Sequence, residues 1–384
     1  MSTAPFLMTT YPPAPVTFVK GEGSRLWDDE GKRYLDFLSG LGVTSLGHAH
    51  PEVADAVAAQ ARKLLHVSNL FANEVGPDVA ETLNRLIDSG DGSTFFCNSG
   101  AEANECAIKL ARKWGGRGRH VVLSAYGSFH GRTLATLHAT GQPAKHEPFQ
   151  PLPEGFRHVA FGDAAAVEAA LTPDVAAVLL EVVQGEGGIN PVPPGYLAEM
   201  RRLCDERGVL LIVDEVQSGL ARTGEWFAFQ HDDVRPDVVT MAKALGNGVP
   251  IGACWARREV AEAFLPGDHA TTFGGQPLAT AAAQAVLRVM ERENAPARAA
   301  ESGRILSAAL RDLHAVREVR GRGLLLAAEL GPGADARGVA SKALAAGLVI
   351  NGVSDTALRF APSLLVGEDE IGEAVSILRH VLAS

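Results

Sequence analysis

Residues 209–217 of the chain read VLLIVDEVQ, and residues 237–253 read DVVTMAKALGNGVPIGA. The first stretch begins as a short apolar run rich in β-branched residues, which is typical of a parallel strand buried on both faces. This run ends at Asp214, and a second apolar run, Val238–Met241, leads to Lys243. Because ligands bind outside the carboxyl ends of strands in open parallel sheets, we expect both side chains to face one cleft.

A lysine and an aspartate in this arrangement indicate a site for pyridoxal phosphate. A lysine amine can hold the coenzyme's aldehyde as a Schiff base, and a carboxylate can keep the pyridine nitrogen protonated, so that the ring accepts electrons. Taken singly, each residue has an ordinary explanation, since aspartates cap turns and lysines lie at surfaces. The combination favours the coenzyme site.

The composition indicates a globular enzyme with small-molecule substrates. Of the 384 residues, 46% are hydrophobic and 21% are charged, and the net charge is −10. This negative charge, together with the absence of a run of lysine or arginine, argues against a nucleic-acid or anionic-membrane surface. A chain of this length exceeds the usual size of one core. We therefore expect an N-terminal segment (1–38), a large coenzyme-binding domain (39–276) and a small C-terminal domain (277–384), with the first segment packing on the small domain.

The chain lacks sequence signals for disulfides, metal binding or export. The four cysteines are far apart without a C-x-x-C pair, and His48 and His50 have no third ligand at compatible spacing, so we predict no metal site. The first residues do not resemble a leader, and no run of 18 apolar residues occurs. We expect a cytoplasmic protein that does not span a membrane.

Alternating strand and helix patterns predict an α/β fold with a mostly parallel sheet. The predicted strands are 94–97, 120–123, 176–182, 209–213, 238–241 and 252–256. The predicted helices are 51–65, 101–114, 194–206 and 277–291. After residue 276, one long alanine-rich helix, strands at 316–319, 323–329, 348–350 and 358–360 and a final helix from residue 368 predict a smaller α+β domain. The N-terminal segment reads as a hairpin that turns at 28–31.

Residues 94–105, TFFCNSGAEANE, predict a strand, a turn of small residues and a helix. Ser99 and Glu102 have the spacing of a capping box. A helix N-terminus offers free N–H groups, so the backbone of Gly100 and Ala101 can bind a phosphate. An ordinary capped helix is the alternative.

Residues 126–133, YGSFHGRT, predict a glycine-flanked loop at the same edge of the sheet. Phe129 could cover one face of the pyridine ring, or it could be a core aromatic residue. Arg132 could bind a substrate carboxylate through its planar guanidinium, or it could be a surface residue.

The chain resembles the class III aminotransferases of the fold type I pyridoxal phosphate enzymes, and among them the acetylornithine aminotransferases. The matching motifs occur in the family's order along nearly the whole chain, and they are LGHAHPEV (46–53), FFCNSGAEANE (95–105), FHGRT (129–133), QGEGGI (184–189), LLIVDEVQSGLARTG (210–224), AKALGNGVPIGA (242–253), TTFGGQPLA (271–279), VRGRGLLL (319–326) and LRFAP (358–362). The chain departs from the usual pattern at Val182, Gln276 and Ser363.

The resemblance implies a role for each matching residue at the coenzyme. Lys243 would hold the aldehyde, and Asp214 would pair with the pyridine nitrogen. The other residues implied to contact the coenzyme are Gly100 and Ala101 at the phosphate, Phe129 and Val216 against the ring, Gln217 at the ring hydroxyl and Thr272 at the phosphate of a neighbouring subunit. The last contact implies a homodimer.

For the substrates, the resemblance implies two arginines with different tasks. Arg132 would bind the carboxylate of N-acetylornithine that is remote from the reacting amine, and Thr271 would contact the same substrate. Arg359 would bind the α-carboxylate of 2-oxoglutarate or glutamate. Glu186 would pair with Arg359 and then swing away for the dicarboxylate; a structural ion pair is the alternative.

The implied reaction is transfer of the δ-amino group of N-acetylornithine to 2-oxoglutarate, as in arginine biosynthesis. Other ω-amino donors remain open, namely ornithine, succinylornithine, 4-aminobutyrate and a carrier-linked lysine precursor. A regulatory protein that binds the coenzyme without turnover is an alternative from another class.

Overall fold

The computed structural model describes residues 6–88 and 90–383. Its strands are β1 (Phe18–Glu22), β2 (Arg25–Asp28), β3 (Arg33–Asp36), β4 (Gly92–Cys97), β5 (Val121–Ala125), β6 (Phe156–Val159), β7 (Val175–Leu180), β8 (Val183–Gln184), β9 (Asn190–Pro191), β10 (Leu210–Asp214), β11 (Val238–Met241), β12 (Gly252–Arg257), β13 (Val316–Arg322), β14 (Leu325–Leu330), β15 (Leu348–Val349), β16 (Asn351–Gly352) and β17 (Ala357–Phe360).

The α-helices are α1 (Ser39–Gly42), α2 (Pro51–Lys63), α3 (Val75–Asp88), α4 (Gly100–Gly115), α5 (Leu134–Ala139), α6 (Pro143–His146), α7 (Ala164–Ala170), α8 (Tyr196–Arg207), α9 (Arg258–Ala261), α10 (Pro277–Arg292), α11 (Ala295–Arg311), α12 (Ala336–Ala345) and α13 (Glu368–Ala383). Short 3₁₀ turns cover Glu147–Phe149, Ala228–Asp232 and Lys243–Gly246.

Within the described residues, the central sheet has seven strands in the order β4-β12-β11-β10-β7-β5-β6. The strands pair in parallel except β12, which is antiparallel to both β11 and β4. Every residue of β5, β7, β10 and β11 is buried, as the apolar runs predict. The predicted α/β class with a mostly parallel sheet is confirmed. The predicted strands of this sheet agree with the observed bounds to within two residues.

The helix predicted at 277–291 is confirmed as α10 (Pro277–Arg292), whereas the helix α11 that follows it was not predicted. The chain breaks at Asn294, whose φ of 49° lies in the left-handed region. Pro296 follows in the first turn of α11, where its missing N–H costs no helical hydrogen bond. The predicted end of the first helix, at residue 291, lies three residues before Asn294.

The C-terminal strands β13, β14, β17 and β16 form an antiparallel sheet in that order. The strand predicted at 348–350 corresponds to β15 (Leu348–Val349), which pairs in parallel with β3 of the N-terminal segment. The next strand, β16, lies beyond the predicted run and pairs with β17. The predicted N-terminal hairpin corresponds to β2 and β3, and β1 extends its sheet.

The domain boundaries at 38/39 and 276/277 stay predictions. Residues 1–5 of the N-terminal segment and residue 384 of the C-terminal domain lie outside the described residues.

Among residues 6–88 and 90–383, no helix combines the length and apolar character that crossing a membrane requires.

Candidate active site

The carboxyl ends of the central strands surround a cavity of about 260 Å³. This volume is close to the lower end of ligand sites, which is about 300 Å³. The predicted residues that line it are Gly100, Ala101, Phe129, Arg132, Glu186, Asp214, Val216, Gln217 and Lys243. Residues that lie up to 143 positions apart in the sequence therefore meet at one place, where parallel sheets bind ligands.

Asp214 ends β10 and is held in place by three hydrogen-bond donors. Its Oδ2 accepts from Nδ1 of His130 and from Nδ2 of Asn104, both at 2.8 Å, and its Oδ1 accepts from the Val216 N–H at 3.0 Å. The Asn104 amide is fixed in turn, because its Oδ1 accepts from the Thr240 hydroxyl at 2.7 Å. Three donors suit an anionic acceptor. The arrangement therefore presents a fixed carboxylate at the cavity.

Lys243 begins the 3₁₀ turn that follows β11, and its side chain is partly buried. Its φ of 44° is unusual for a residue with a side chain, and such backbone strain is concentrated at functional sites. Burial lowers the pKa of the Lys243 amine, although the carboxylates of Glu186 and Asp214 oppose the shift. A lowered pKa increases the share of neutral amine, which is the form that attacks a carbonyl carbon.

The N-terminus of α4 closes one side of the cavity. The Ser99 hydroxyl accepts from the Glu102 N–H at 3.2 Å, which is the first bond of the predicted capping box, but the Glu102 carboxylate accepts from the N–H of Asn98, one residue before the N-cap, at 2.6 Å. A Cβ on Gly100 would lie 2.8 Å from a methyl carbon of Val216, so glycine is required for this close approach. The free backbone N–H groups of the first turn can bind an anion.

The loop with Phe129 and Arg132 forms another wall. The Arg132 guanidinium lies over the Phe129 ring at 5.6 Å from its centroid. The Phe129 N–H donates to Oε2 of Glu181 at 3.0 Å, and Oε1 of Glu181 accepts from the Gly185 N–H at 3.1 Å. One buried carboxylate therefore connects the two loops that carry Phe129 and Glu186.

Glu186 and Arg359 form an ion pair beside Lys243. Nη1 of Arg359 donates to Oε1 of Glu186 at 2.5 Å, and Nε of Arg359 donates to Oδ1 of Asn351 at 3.0 Å. Burial raises the pKa of Glu186, but the charge and hydrogen bond of Arg359 outweigh this effect and hold it below the usual value. The pair brings together residues 173 positions apart in the sequence.

Thr271 and Thr272 do not line the Lys243 cavity of their own chain. They lie at a separate, wider cavity of about 1190 Å³, beside the exposed Phe273. The Thr271 hydroxyl accepts from the Gly274 N–H at 3.2 Å. The contacts of Thr272 with a neighbouring subunit and of Thr271 with the substrate stay predictions.

Three buried polar residues at the cavity, His130, Asn104 and Glu181, are missing from the sequence predictions. His130 and Asn104 lie inside the motifs that contain Phe129 and Gly100, so a polar residue within an otherwise apolar or glycine-rich motif was the available signal. Burial raises the pKa of Glu181 to about 7.

Two of the residues that depart from the family pattern have hydrogen-bond partners in the structure. Gln276 accepts from the Val67 N–H at 2.9 Å, and Ser363 donates to the Ser45 carbonyl at 3.1 Å.

Comparison with known proteins gives the family. The model of the family "Aminotransferase class-III" matches residues 7–382. The chain is a class-III aminotransferase. It is 49% identical to the acetylornithine aminotransferase of Methanopyrus kandleri over 376 residues, which cover 98% of this chain and 96% of that protein.

Solved structures of aminotransferases have the same fold. The N-acetylornithine aminotransferase of Stenotrophomonas maltophilia K279a superimposes with a TM-score of 0.85 at 37% identity, over 97% of this chain and 96% of that chain. The ornithine aminotransferase of Toxoplasma gondii superimposes with a TM-score of 0.93 at 36% identity, over 98% of this chain and 92% of that chain. The latter structure shows partial occupancy of pyridoxal phosphate at its active site.

Class-III aminotransferases use pyridoxal phosphate, and the cavity of this chain fits that coenzyme. Gly100 leaves a space that a Cβ would fill, next to free N–H groups suited to a phosphate. Among the described residues, Oε1 of Gln217 is buried without a hydrogen-bond partner, and a ring hydroxyl could donate to it. Asp214 and Lys243 supply the carboxylate and the amine that the sequence predicted for the two ends of the ring.

Proposed function

We propose that this aminotransferase moves the δ-amino group of N2-acetyl-L-ornithine to 2-oxoglutarate, giving N-acetyl-L-glutamate 5-semialdehyde and L-glutamate. The observation that carries the proposal is the pair of arginines near Lys243, one exposed at the mouth and one buried and masked by Glu186. Two carboxylate sites of different accessibility suit two substrates that share one amine-transfer centre. The names of the relatives at 45–49% identity support the choice of donor.

Bound pyridoxal phosphate supplies a carbonyl carbon that exchanges nitrogen with the substrates and a ring that spreads negative charge from the reacting carbon. In this proposal Gly100 and Ala101 bind its phosphate, Phe129 and Val216 enclose its ring, and Gln217 binds its hydroxyl. Asp214 keeps a proton on the ring nitrogen. Because the Asp214 carboxylate is fixed by His130 and Asn104, it supports that positive charge without reorganising.

Lys243 is the proposed acid and base. Its neutral amine would take the proton from Cδ of the bound donor and hold that proton beside the coenzyme. Arg132, together with Thr271 of a second copy of the chain, would hold the distal part of acetylornithine, so that Cδ lies within reach of Nζ. The same residues would serve the donor first and the keto acid afterwards, with the coenzyme carrying the nitrogen between them.

Glu186 determines which carboxylate site is open. While it pairs with Arg359, the buried guanidinium is neutralised, and a donor whose reacting carbon carries no carboxylate is accepted. When 2-oxoglutarate enters, Glu186 leaves and Arg359 binds the α-carboxylate of the keto acid through two parallel hydrogen bonds.

We further propose that the active form is a homodimer. The surface near Thr272 carries Leu70, Phe71 and Phe273, which are 86%, 70% and 67% exposed. Exposed apolar groups of this size beside a wide cavity favour a protein partner, and a second copy would bring Thr272 to the phosphate of the first. A cytoplasmic location is also proposed, since the described cysteines are free and buried.

A panel of amine donors tests the substrate. With 2-oxoglutarate as acceptor, kcat/KM should be highest for N2-acetyl-L-ornithine among that donor, L-ornithine, N2-succinyl-L-ornithine and 4-aminobutyrate. Ornithine is the second candidate donor, because an ornithine aminotransferase has the TM-score of 0.93. A tenfold or greater preference for any other donor would overturn the assignment of acetylornithine.

Borohydride reduction tests the coenzyme site independently of the donor. Reduction in the presence of pyridoxal phosphate should attach the coenzyme to the peptide that contains Lys243, as read by mass spectrometry, and Lys243→Ala should abolish the adduct. An adduct on another lysine would contradict the proposed role of Lys243.

A further inference from the structure

Glu186 lies on a short turn between β8 and β9, which pair Gln184 with Asn190. The turn has an unusual backbone, because Gly188 has a φ of 121° and Ile189 a φ of 56°. A β-branched residue such as Ile189 is strained in the left-handed region, so the surrounding structure must hold it there. Ile189 is wholly buried and packs with Ala327 and Leu325 of the C-terminal sheet.

Arg320 of β13 forms hydrogen bonds with the far end of this turn, after Glu186. Its Nε and Nη2 donate to the Gly188 carbonyl at 3.0 and 2.8 Å, and its Nε also lies 3.1 Å from Oδ1 of Asn190. The opposite edge of the guanidinium donates to Oε2 of Glu329 at 2.7 Å. Glu329 lies on β14, so a residue of the neighbouring strand in the same sheet orients the Arg320 guanidinium.

The register of the sheet places Arg320 and Arg359 in one row. Arg320 pairs with Ala327, and Ala327 pairs with Arg359. Directly opposite residues of neighbouring strands point to the same face, and neighbouring strands lie about 4.8 Å apart, so the two arginines rise from one face about 10 Å apart. Ala327, which lies between the two arginines in this row, belongs to the same buried hydrophobic cluster as Ile189 of the turn.

The turn is therefore held at both ends by arginines of one sheet, with different partners. Arg359 holds the Glu186 carboxylate, whereas Arg320 holds the Gly188 backbone carbonyl. A dicarboxylate competes with Glu186 for Arg359, but it does not compete for the contact of Arg320 with Gly188. One attachment of the turn is thus exchangeable during the reaction and the other is permanent.

We propose that Arg320 is a positioning residue that fixes the backbone of the Glu186 turn, so that Glu186 alternates between masking and exposing Arg359 by moving its side chain alone. This inference rests on the proposed role of Glu186 in the two half-reactions. Without the grip of Arg320, the strained turn relaxes and the carboxylate no longer masks Arg359 reliably. Acetylornithine, which has a single carboxylate and needs Arg359 to be masked, is then disfavoured relative to glutamate, which binds the unmasked Arg359.

Two half-reactions, measured separately, test the proposal. The holoenzyme is mixed with N2-acetyl-L-ornithine or with L-glutamate in single-turnover experiments, and the coenzyme absorbance gives the second-order rate constant of each. Arg320→Gln should lower the constant about 10-fold for acetylornithine, as expected for lost charge-assisted hydrogen bonds, and raise that for glutamate about 3- to 10-fold, because weaker masking raises the fraction of free Arg359. Arg320→Lys keeps the charge but loses the two parallel hydrogen bonds to the Gly188 carbonyl. Its ratio of the acetylornithine constant to the glutamate constant should therefore lie between those of wild type and Arg320→Gln.

Arg322→Gln is the matched control. Arg322 lies on the same strand and the same face, two residues further along, and its Nη1 lies 3.4 Å from Oδ2 of Asp232, away from the turn. Its ratio of rate constants should stay within about twofold of wild type. An equal shift in this variant, or an equal loss of both half-reactions in Arg320→Gln, would overturn the proposal, as would an unchanged ratio.

Binding of glutarate, an unreactive dicarboxylate, gives a readout that does not depend on turnover. In isothermal titration calorimetry, Arg320→Gln should bind glutarate about 3- to 10-fold more tightly than wild type, because weaker masking raises the fraction of free Arg359. Tighter binding should be absent in Arg322→Gln. Unchanged or weaker binding in Arg320→Gln contradicts the inference.

A double-mutant cycle separates this inference from the proposed function. If Arg320 acts through Glu186, adding Arg320→Gln to Glu186→Gln should not change the ratio of half-reactions further. If Glu186→Gln alone leaves the ratio at the wild-type value, the proposed role of Glu186 is wrong. If Glu186→Gln shifts the ratio but Arg320→Gln adds its full effect on top, the role of Glu186 stands and that of Arg320 fails. Thermal unfolding identifies a variant that does not fold, and Arg320→Lys then decides.

Discussion

Replacing Asp214 with asparagine changes one charge at the centre of the cavity and leaves the volume of the side chain nearly unchanged. The carboxylate accepts from His130, Asn104 and the Val216 N–H, and the side chain is almost fully buried. In asparagine an NH₂ group replaces one of the two carboxylate oxygens, so a donor would face at least one of the donors that the carboxylate now accepts from. The variant therefore loses the negative charge opposite the ring nitrogen together with the order of its neighbours.

The expected effect follows from the burial. Removing one partner of a buried charge pair costs about 3–5 kcal/mol. If the whole loss falls on the step in which the ring accepts charge, each 1.36 kcal/mol lowers the rate tenfold, so the rate should fall by about 150- to 5,000-fold. The assay is the single-turnover rate with acetylornithine at saturating coenzyme, with the bound coenzyme measured separately.

Asp237→Asn is the control, because Asp237 is wholly buried and also accepts hydrogen bonds, from Nη1 of Arg201 at 2.9 Å and from the Leu211 N–H at 2.6 Å. It lies outside the cavity, so this variant should lose stability but keep its single-turnover rate within a few-fold once folded and saturated. A rate for Asp214→Asn within tenfold of wild type would refute the reasoning.

Three further changes test separate parts of the site. Gly100→Ala places a Cβ 2.8 Å from a Val216 methyl carbon and should weaken coenzyme binding by about 1–3 kcal/mol, with Val216→Ala in the same chain recovering much of the loss; fluorescence titration of the apoprotein measures both. Arg132→Ala should raise KM for acetylornithine at least tenfold and leave the coenzyme affinity unchanged, so equal losses in steady-state kinetics and coenzyme titration contradict its role. Lys243→Met should stabilise the apoprotein at pH 7, because burial lowers the folded-state pKa of Lys243 below the usual 10.5 and protonation therefore favours unfolding; the gain should shrink as the pH rises to 10.5, and a urea-unfolding difference that is independent of pH argues against a buried amine.

Local sequence patterns were sufficient for the elements that surround the site. The run before Asp214 is apolar at every position, and in a parallel sheet such a run is buried on both faces whatever its neighbours are. The cap of α4 by Ser99, whose hydroxyl accepts from the Glu102 N–H, is likewise a property of four consecutive residues. The helix predicted at 277–291 ends within one residue of α10, whereas α11 escaped prediction.

The sequence by itself determined the fold class, the family and the chemical groups around Lys243, because strand periodicity, caps and motifs depend on residues that are neighbours in the chain. The tertiary structure decided which groups meet. The pairing of Glu186 with Arg359, the support of Asp214 by His130 and the row that joins Arg320 to Arg359 depend on strand register and on contacts between distant segments. The physical reason is that one strand of a sheet carries no record of which strand lies beside it, so these contacts exist only once the chain has folded.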